Sequence, residues 1–497
     1  MSTSQSTGVA TGPVVPHVPT QLFIGGSWVD AADGATFEVV SPTSEQQIAH
    51  VASAGEADVA AAVRAARAQA DGGEWSRMPA AERGRLLTRL ADLMERDLET
   101  FVALEAHDVG KPAFEPRMVD IPHAIDVVRH FAGWADKIEG RYVNLQPFFG
   151  QQRIAYTIRE PLGVVGAITA WNAPTLIAAW KLAPALAAGN AVVIKPAEEA
   201  PLSTLYLAAL IEEAGFPGGT VNAIPGLGPV AGAALVAHPG VDKISFTGSP
   251  EVGREIAIRC AGDFRRTTLE LGGKSPQLVL ADADIASVLP AVAMGFLGNQ
   301  GEICAAGTRV LVARPLYDDV VSGLADAAKG VTLGDPFHPD TTMGALISSK
   351  QRDRVTGYIE RGSAEGAELV TGGGRPDRPG YFVEPTVFAH TSNDIAIAQD
   401  EIFGPVALVI PFDDPEDAIA IANDTRYGLA AYLWTKDLSA AHRLAGELRA
   451  GGVWVNGAAP PDARVPWGGV KTSGIGRELG YAGIEANTEE KTVTITL

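Results

Sequence analysis

The sequence predicts an α/β protein built on two doubly wound parallel sheets, and three observations predict it. From Gly163 onward, short apolar runs alternate with longer helix-forming stretches, the rhythm of βαβ units whose strands are covered on both faces. A second series of the same kind begins at Pro276. The chain is also large enough: 497 residues, 46% apolar and 20% charged, give two or three domains with a sizeable core.

Taken in order, Met1–Pro19 reads as a flexible tail. It has no basic n-region and no apolar h-region, so no signal peptide is expected. Leu22–Val29 (LFIGGSWV) reads as a hairpin turning at Gly25-Gly26. From Glu56 to about Phe131, segments rich in Ala, Leu, Arg and Glu read as helices, most clearly Asp58–Ala66. Gln151–Glu160 alternates like a strand. The first parallel series then has strands at Gly163–Thr169, Ala191–Ile194, Val221–Ile224 and Lys243–Phe246, with helices at Leu176–Ala188 and Leu202–Ala214. The second has strands at Pro276–Leu280, Arg309–Val312, Ala407–Pro411, Leu429–Trp434 and Gly452–Val455. The β-prone tail Glu489–Leu497 falls outside either unit. It is an edge strand of its own domain or a strand that pairs with another subunit.

The net charge of −20 argues against nucleic-acid and anionic-membrane surfaces, which want Lys and Arg. The most apolar stretch, Pro161–Ile194, is interrupted by Asn172, Lys181 and Asn190, short of the ~18 apolar residues a spanning helix needs. With only Cys260 and Cys304, a disulfide framework is not a design feature, and a reducing, cytoplasmic setting is expected. The nine histidines form no HExxH or HxH spacing. His123 and His130 share a helical face at a spacing common by chance, so no metal site is expected.

Six segments carry chemistry. Cys304 lies in NQGEICAAGTR, a Gly-punctuated loop after a helix-like segment ending near Leu297. As thiolate in polar surroundings it is a nucleophile; alone, it also fits a small buried apolar residue. Glu270, before Gly-Gly in ELGGKSP, reads as a carboxylate on a flexible turn, a general base or a surface acid. Asn172, between a strand and a Pro-started helix in WNAP, fits an oxyanion donor, an Asx turn or a helix N-cap. FTGSPEVG (Phe246–Gly253) and PGLGPVAG (Pro225–Gly232, with Gly228) follow strands and suit a pyrophosphate at a helix N-terminus, with Ser249 facing it. Neither is a GxGxxG fingerprint. In KPAE, Glu198 suits a ribose, and Lys195 with Glu198 also fits an exposed ion pair.

Together, WNAP, KPAE, FTGSPEVG, ELGGKSP, NQGEICAAGTR, DEIFGPV and PWGGVKTSGIGRELG resemble the aldehyde dehydrogenase superfamily, in its order and spacing, from about residue 22 to the C-terminus. The resemblance implies the NAD-dependent, hydrolytic branch, with Cys304 as nucleophile, Glu270 as the base for the deacylating water, and Asn172 with the Cys304 N–H as oxyanion hole. Lys195, Glu198, Gly228, Phe246 and Ser249 fall to the adenosine and pyrophosphate side of NAD, and Glu401 and Phe403 to its nicotinamide side. Glu198 disfavours NADP, since its charge repels a 2′-phosphate. Lys181 and Glu478 match positions that support proton transfer. The resemblance also implies a Rossmann-like cofactor domain (1–137 and 161–271), a catalytic domain (272–484) and a small β oligomerisation element (138–160 and 485–497). The assembly expected is a dimer or tetramer.

The implied substrate pocket carries Ala173, Ile177, Trp180, Ile303, Ala305, Pro460, Pro461 and Trp467. Ala173 stands where many relatives have a bulky aromatic, which implies a roomier pocket. Two tryptophans among aliphatic neighbours suit an aromatic or long apolar aldehyde; the alternative is an aromatic box for betaine aldehyde or another aminoaldehyde. Arg464 reads as a loop surface charge or as a partner for a carboxylate-bearing semialdehyde.

Overall fold

The computed structural model describes residues 13–497; the first twelve residues of the expected tail lie outside the described residues. Five strands form the parallel centre of an eight-stranded sheet, in the spatial order Val221–Ala223, Ala191–Lys195, Val164–Ile168, Lys243–Thr247 and Arg266–Glu270. Val164–Ile168 and Ala191–Lys195 are buried along their whole length, which is why their sequence is a continuous apolar run rather than an alternation. Between them runs the helix Pro174–Ala188, buried at every position and closed by Gly189 at φ +96°, a left-handed cap that returns the chain to the sheet. Strand order reverses between Val164–Ile168 and Lys243–Thr247, and such a switch point opens a crevice at the carboxyl ends of the strands. The Leu22–Ile24 and Ser27–Val29 hairpin forms at the expected turn and closes one edge of this sheet.

Glu270 departs from the sequence reading. It is not on a flexible turn but is the last residue of the strand Arg266–Glu270, opposite Thr247 on one side and Gly474 on the other. The strand escaped notice because RTTLE opens polar and lacks the apolar run of its neighbours. Gly474–Ile475, from much later in the chain, pairs antiparallel to it. There Ser473 Oγ donates to the Gly272 carbonyl at 2.7 Å across 201 residues, and the Leu271 N–H donates to the Ser473 carbonyl.

The second sheet has seven strands, ordered Glu368–Thr371, Thr386–Ala389, Val406–Phe412, Arg309–Ala313, Pro276–Val279, Ala430–Trp434 and Gly452–Val455. All neighbours are parallel except the first pair. Thr386–Ala389 and Glu368–Thr371 were not foreseen; each is short and opens with a polar residue, so neither shows a full apolar run. A separate three-stranded antiparallel sheet joins Tyr142–Phe148, Gln151–Pro161 and the tail strand Thr488–Thr496, which lies at its edge. No helix among the described residues is long and apolar enough to cross a membrane.

Candidate active site

A cleft of about 1070 Å³ is lined by residues of both large sheets and their loops, among them Asn172, Glu270 and Cys304. Each reaches it by a different local device.

Asn172 follows the Val164–Ile168 strand, just ahead of the Pro-started helix. It is not that helix's N-cap, a position held by Ala173 with no side-chain bond. Its Nδ2 donates to the Glu302 carbonyl at 2.9 Å, which leaves the second N–H of the amide free for another acceptor. The Asn172 carbonyl accepts from Asn299 Nδ2 at 2.9 Å and from Lys111 Nζ at 2.8 Å.

Cys304 follows a kink. The helix Ile285–Leu297 ends at Gly298, and Asn299, Gln300 and Gly301 are all left-handed, at φ 44°, 55° and 72°. Only glycine fits the third place, since a Cβ there would lie 2.2 Å from the Gly404 carbonyl oxygen. Both oxygens of Glu115 accept the Asn299 N–H and anchor the kink. Burial, then the carboxylates of Glu401 and Glu270, push the Cys304 thiol up to about 12. What acts on the thiol is burial and two carboxylates, with no positive charge to offset them.

Glu270 is almost fully buried, and neither carboxylate oxygen has a hydrogen-bond partner. Burial, with the charge of Glu478 second, holds its carboxyl well above the usual range, against the pull of Lys181 and Arg477. The two glycines after it are there for close approach: a Cβ on Gly273 would meet the Cys304 carbonyl at 2.3 Å, and one on Gly272 the Glu401 carboxylate at 2.1 Å. Near Glu270, Lys181 Nζ sits 2.7 Å from Glu478 Oε1, and Ser245 Oγ contacts both.

At the crevice end, Lys243–Thr247 runs into Gly248 and Ser249, the N-cap of the helix Pro250–Gly262. Thr247, Gly248 and Ser249 line the cleft. Phe246 does not; it packs beneath Gly248 in the core, where a Cβ on the glycine would strike its ring at 2.5 Å. Lys195 Nζ, buried rather than exposed, lies 2.9 Å from Glu198 Oε2, and the Gly228 N–H donates to Glu198 Oε1 at 3.2 Å. Burial works against the Glu198 carboxylate, but the Lys195 ammonium overrides it and holds the pKa below the usual value. These three residues form a group at the end of Ala191–Lys195, on the far side of Val164–Ile168 and outside the cleft wall proper. Across the cleft, Glu401 accepts from the Gly273 N–H at 3.0 Å, and burial pushes its carboxyl up to about 7. Phe403 meets Trp171 edge to face at 5.2 Å. A helix N-terminus, a buried Thr247 hydroxyl without a partner and a continuous path to Cys304 fit a dinucleotide laid along this wall.

The other end of the cleft is aromatic. Ala173, Ile177, Trp180, Ile303, Ala305 and Trp467 all line it, as do Pro460 and Pro461. Trp180, Trp467, Trp454 and Tyr432 run as a chain of ring contacts at 6.0, 5.9 and 5.6 Å. Sequence reasoning missed Tyr432 and Trp454, although they are register partners on adjacent strands, a pairing visible only once the strands are aligned. Arg464 is bound to Asp462 and does not line the cleft. His123 packs edge-on to Trp180 at 6.0 Å, while His130 takes a bond from Trp134.

The chain matches the Aldehyde dehydrogenase family model over residues 28–493. It is similar to the NAD+ complex of an aldehyde dehydrogenase from Bacillus cereus: TM-score 0.95, 44% identity, 97% of each chain. It is also similar to an indole-3-acetaldehyde dehydrogenase of P. syringae with NAD+ and IAA (TM-score 0.94, 41%, 97% of each chain). A third similar structure is a betaine aldehyde dehydrogenase of Staphylococcus aureus with NAD+ (TM-score 0.94, 39%, 96% of this chain and 95% of that one). With the family matched across nearly its whole length, the chain belongs to the aldehyde dehydrogenases, oxidoreductases that act on aldehydes.

Proposed function

We propose that this chain oxidises an aromatic or long apolar aldehyde to its carboxylic acid with NAD, through a thioester on Cys304. The observation that carries the reading is the convergence of Cys304, Glu270 and Asn172 on one cleft, with the aromatic chain at one end and the Ser249 helix start at the other.

Glu270 takes the proton of the Cys304 thiol and passes it on to solvent before the hydrolytic step, and the sulfur attacks the aldehyde carbon. The oxygen gains charge as the carbonyl opens, and the free N–H of Asn172 and the Cys304 backbone N–H stabilise it. When bound, the nicotinamide supplies the hydride acceptor for the step that leaves a thioester. Glu270 takes a proton from water, the hydroxide adds to the thioester, and the sulfur departs as the acid forms. A carboxyl held well above the usual range holds a proton more readily, which suits it to accept one from water, and Glu478, paired with Lys181 and Ser245, lies beyond Glu270 to pass it on. Thr247 and Ser249 bind the pyrophosphate, Lys195 and Glu198 the adenosine ribose, and Glu401 and Phe403 the nicotinamide side. The Glu198 charge, kept by Lys195, disfavours NADP. The cofactor unit is 1–137 with 161–271, the catalytic unit 272–484. The three-stranded sheet of 138–160 and 485–497 joins copies into a dimer or tetramer in the cytoplasm.

The four aromatic rings also suit a cationic aldehyde such as betaine aldehyde. Charge at that end favours the neutral one. Its carboxylates are Glu115 and Asp120; the first is spent on the Asn299 N–H and the second on Lys111. NADH formation with phenylacetaldehyde, hexanal and betaine aldehyde tests this. We expect the first two to give the higher kcat/KM; betaine aldehyde in first place would overturn the substrate class, and no turnover of any aldehyde would overturn the reaction.

A further inference from the structure

Behind Asn172 lies a buried charge cluster that the chemistry above does not use. Lys111 follows the helix Leu98–Asp108 in a turn made by Gly110 at φ +84°, and its side chain is wholly buried. Its Nζ lies 2.6 Å from Asp120 Oδ2, 2.8 Å from the Asn172 carbonyl oxygen and 3.4 Å from Glu105 Oε2. The other oxygen of Glu105 accepts the Thr175 N–H at 3.1 Å. The cluster therefore grips the chain at Asn172 and again three residues later, at the start of the helix. Asp120 ends a π-helical turn, Pro116–Asp120, a rare local form often found beside functional sites.

A lysine is costly to bury. Taking an ammonium out of water carries a large desolvation cost, repaid only by close, well-directed partners. Burial here opposes the charge, but the carboxylates of Asp120 and Glu105 override it and hold Lys111 above its usual pKa. A neutral side chain of the same length would fill the same space without that cost, so the charge is kept for what it touches. Two of its contacts are the acids that balance it; the third is the backbone oxygen of Asn172. That oxygen has a second donor in Asn299, which also bonds the Glu302 carbonyl, as Asn172 Nδ2 does. The peptide before Ala173 is thus pinned from both sides, and the direction of the Asn172 amide follows from the pinning.

We propose that Lys111 is a positioning residue for the reaction: its ammonium fixes the Asn172 backbone so that the side-chain amide points at the forming oxyanion. This rests on the reading of Asn172 as an oxyanion donor. The effect is on aim rather than on binding. Misplacement of a catalytic group by ~1 Å costs about 10²-fold in rate, while the aldehyde and the dinucleotide keep their own contacts.

The test is a double-mutant cycle on the full-length protein with phenylacetaldehyde and NAD. Lys111→Met keeps length and removes charge; Lys111→Arg keeps charge; each is made alone and with Asn172→Ala. Lys111→Met should lower kcat about 10- to 100-fold with KM for both substrates within about twofold, and Lys111→Arg should restore part of kcat. In the Asn172→Ala background, Lys111→Met should cost less than about twofold more. An equal loss in both backgrounds, or an unchanged kcat in Lys111→Met, overturns the role of Lys111 and leaves Asn172 standing. An Asn172→Ala enzyme with wild-type kcat overturns the oxyanion reading and this inference with it. Should Lys111→Met not fold, Lys111→Met with Asp120→Asn removes the ion pair in a charge-balanced way, and the same cycle is read from it.

Discussion

The two ends of the cleft are held by different means. At the crevice end, groups sit at the ends of parallel strands: Thr247, Ser249, and the linked set Lys195, Glu198 and Gly228. Hydrogen bonds and glycine geometry fix them. At the aldehyde end, the wall is side-chain surface: four aromatic rings, Ile177, Ala173 and two prolines, in van der Waals contact. A polar wall tolerates few replacements, because each lost partner leaves a buried group unpaired. An apolar wall accepts changes of volume at modest cost. On the proposed reading, the first end would take the cofactor and the second the aldehyde, with Cys304, Glu270 and Asn172 between them.

Breaking the junction should cost most. Cys304→Ala removes the thiol proposed to form the thioester, and we expect NADH formation to fall by about 10⁴-fold or more, measured at saturating aldehyde. Glu270→Gln keeps the shape and removes the base. Turnover should fall by about 10²- to 10⁴-fold, with a burst of NADH up to one per site as the thioester accumulates; a steady slow rate without a burst places the loss before hydride transfer.

The thiol itself gives the next largest effect. With Cys304 pushed up to about 12, it is protonated across the neutral range, and its thiolate fraction rises about tenfold per pH unit below that value. Alkylation of Cys304 by iodoacetamide in the cofactor-free protein should therefore accelerate about 100-fold between pH 7 and 9, followed by mass mapping. A plateau in that range means that the thiol is already ionised.

Two smaller changes separate the ends. Ala173→Phe fills the aldehyde end and should raise KM for phenylacetaldehyde about tenfold, with little change for acetaldehyde or NAD. Glu198→Gln leaves the aldehyde end alone and should raise the NADP/NAD ratio of kcat/KM about fivefold, the scale of a single charge contact at a half-buried carboxylate. If Ala173→Phe altered KM for NAD as strongly, the two ends would not be independent.

The parallel strands were legible because burial on both faces writes them as apolar runs between Gly and Pro: GVVGAIT, AVVI and PQLVL. Arg266–Glu270 was not, because it is an outer strand of the parallel set and begins with polar residues, so Glu270 looked like a turn acid. The chemistry-bearing residues were legible as short motifs, each ambiguous alone. What those motifs hid was support. Nothing in the local pattern of GKP marks Lys111 as reaching Asn172, 61 positions away. The available hint was Glu105 and Asp108, two acids on a helix whose other buried residues are apolar. The left-handed run Asn299–Gly301 was equally hidden, since only Gly301 announces it.

Ser473 and Gly474 lock the strand that ends in Glu270, and they do so from 201 residues downstream. Chains leave the ribosome N-terminus first, and early segments fold while later ones are still being made. Cys304 is thus synthesised long before the piece that seats its base exists. A chain ending before Ser473 carries Cys304 without the pairing that seats Glu270. The seat of Glu270 is in this way completed only when synthesis is almost over, so the last residues of the chain decide whether that strand end is in place.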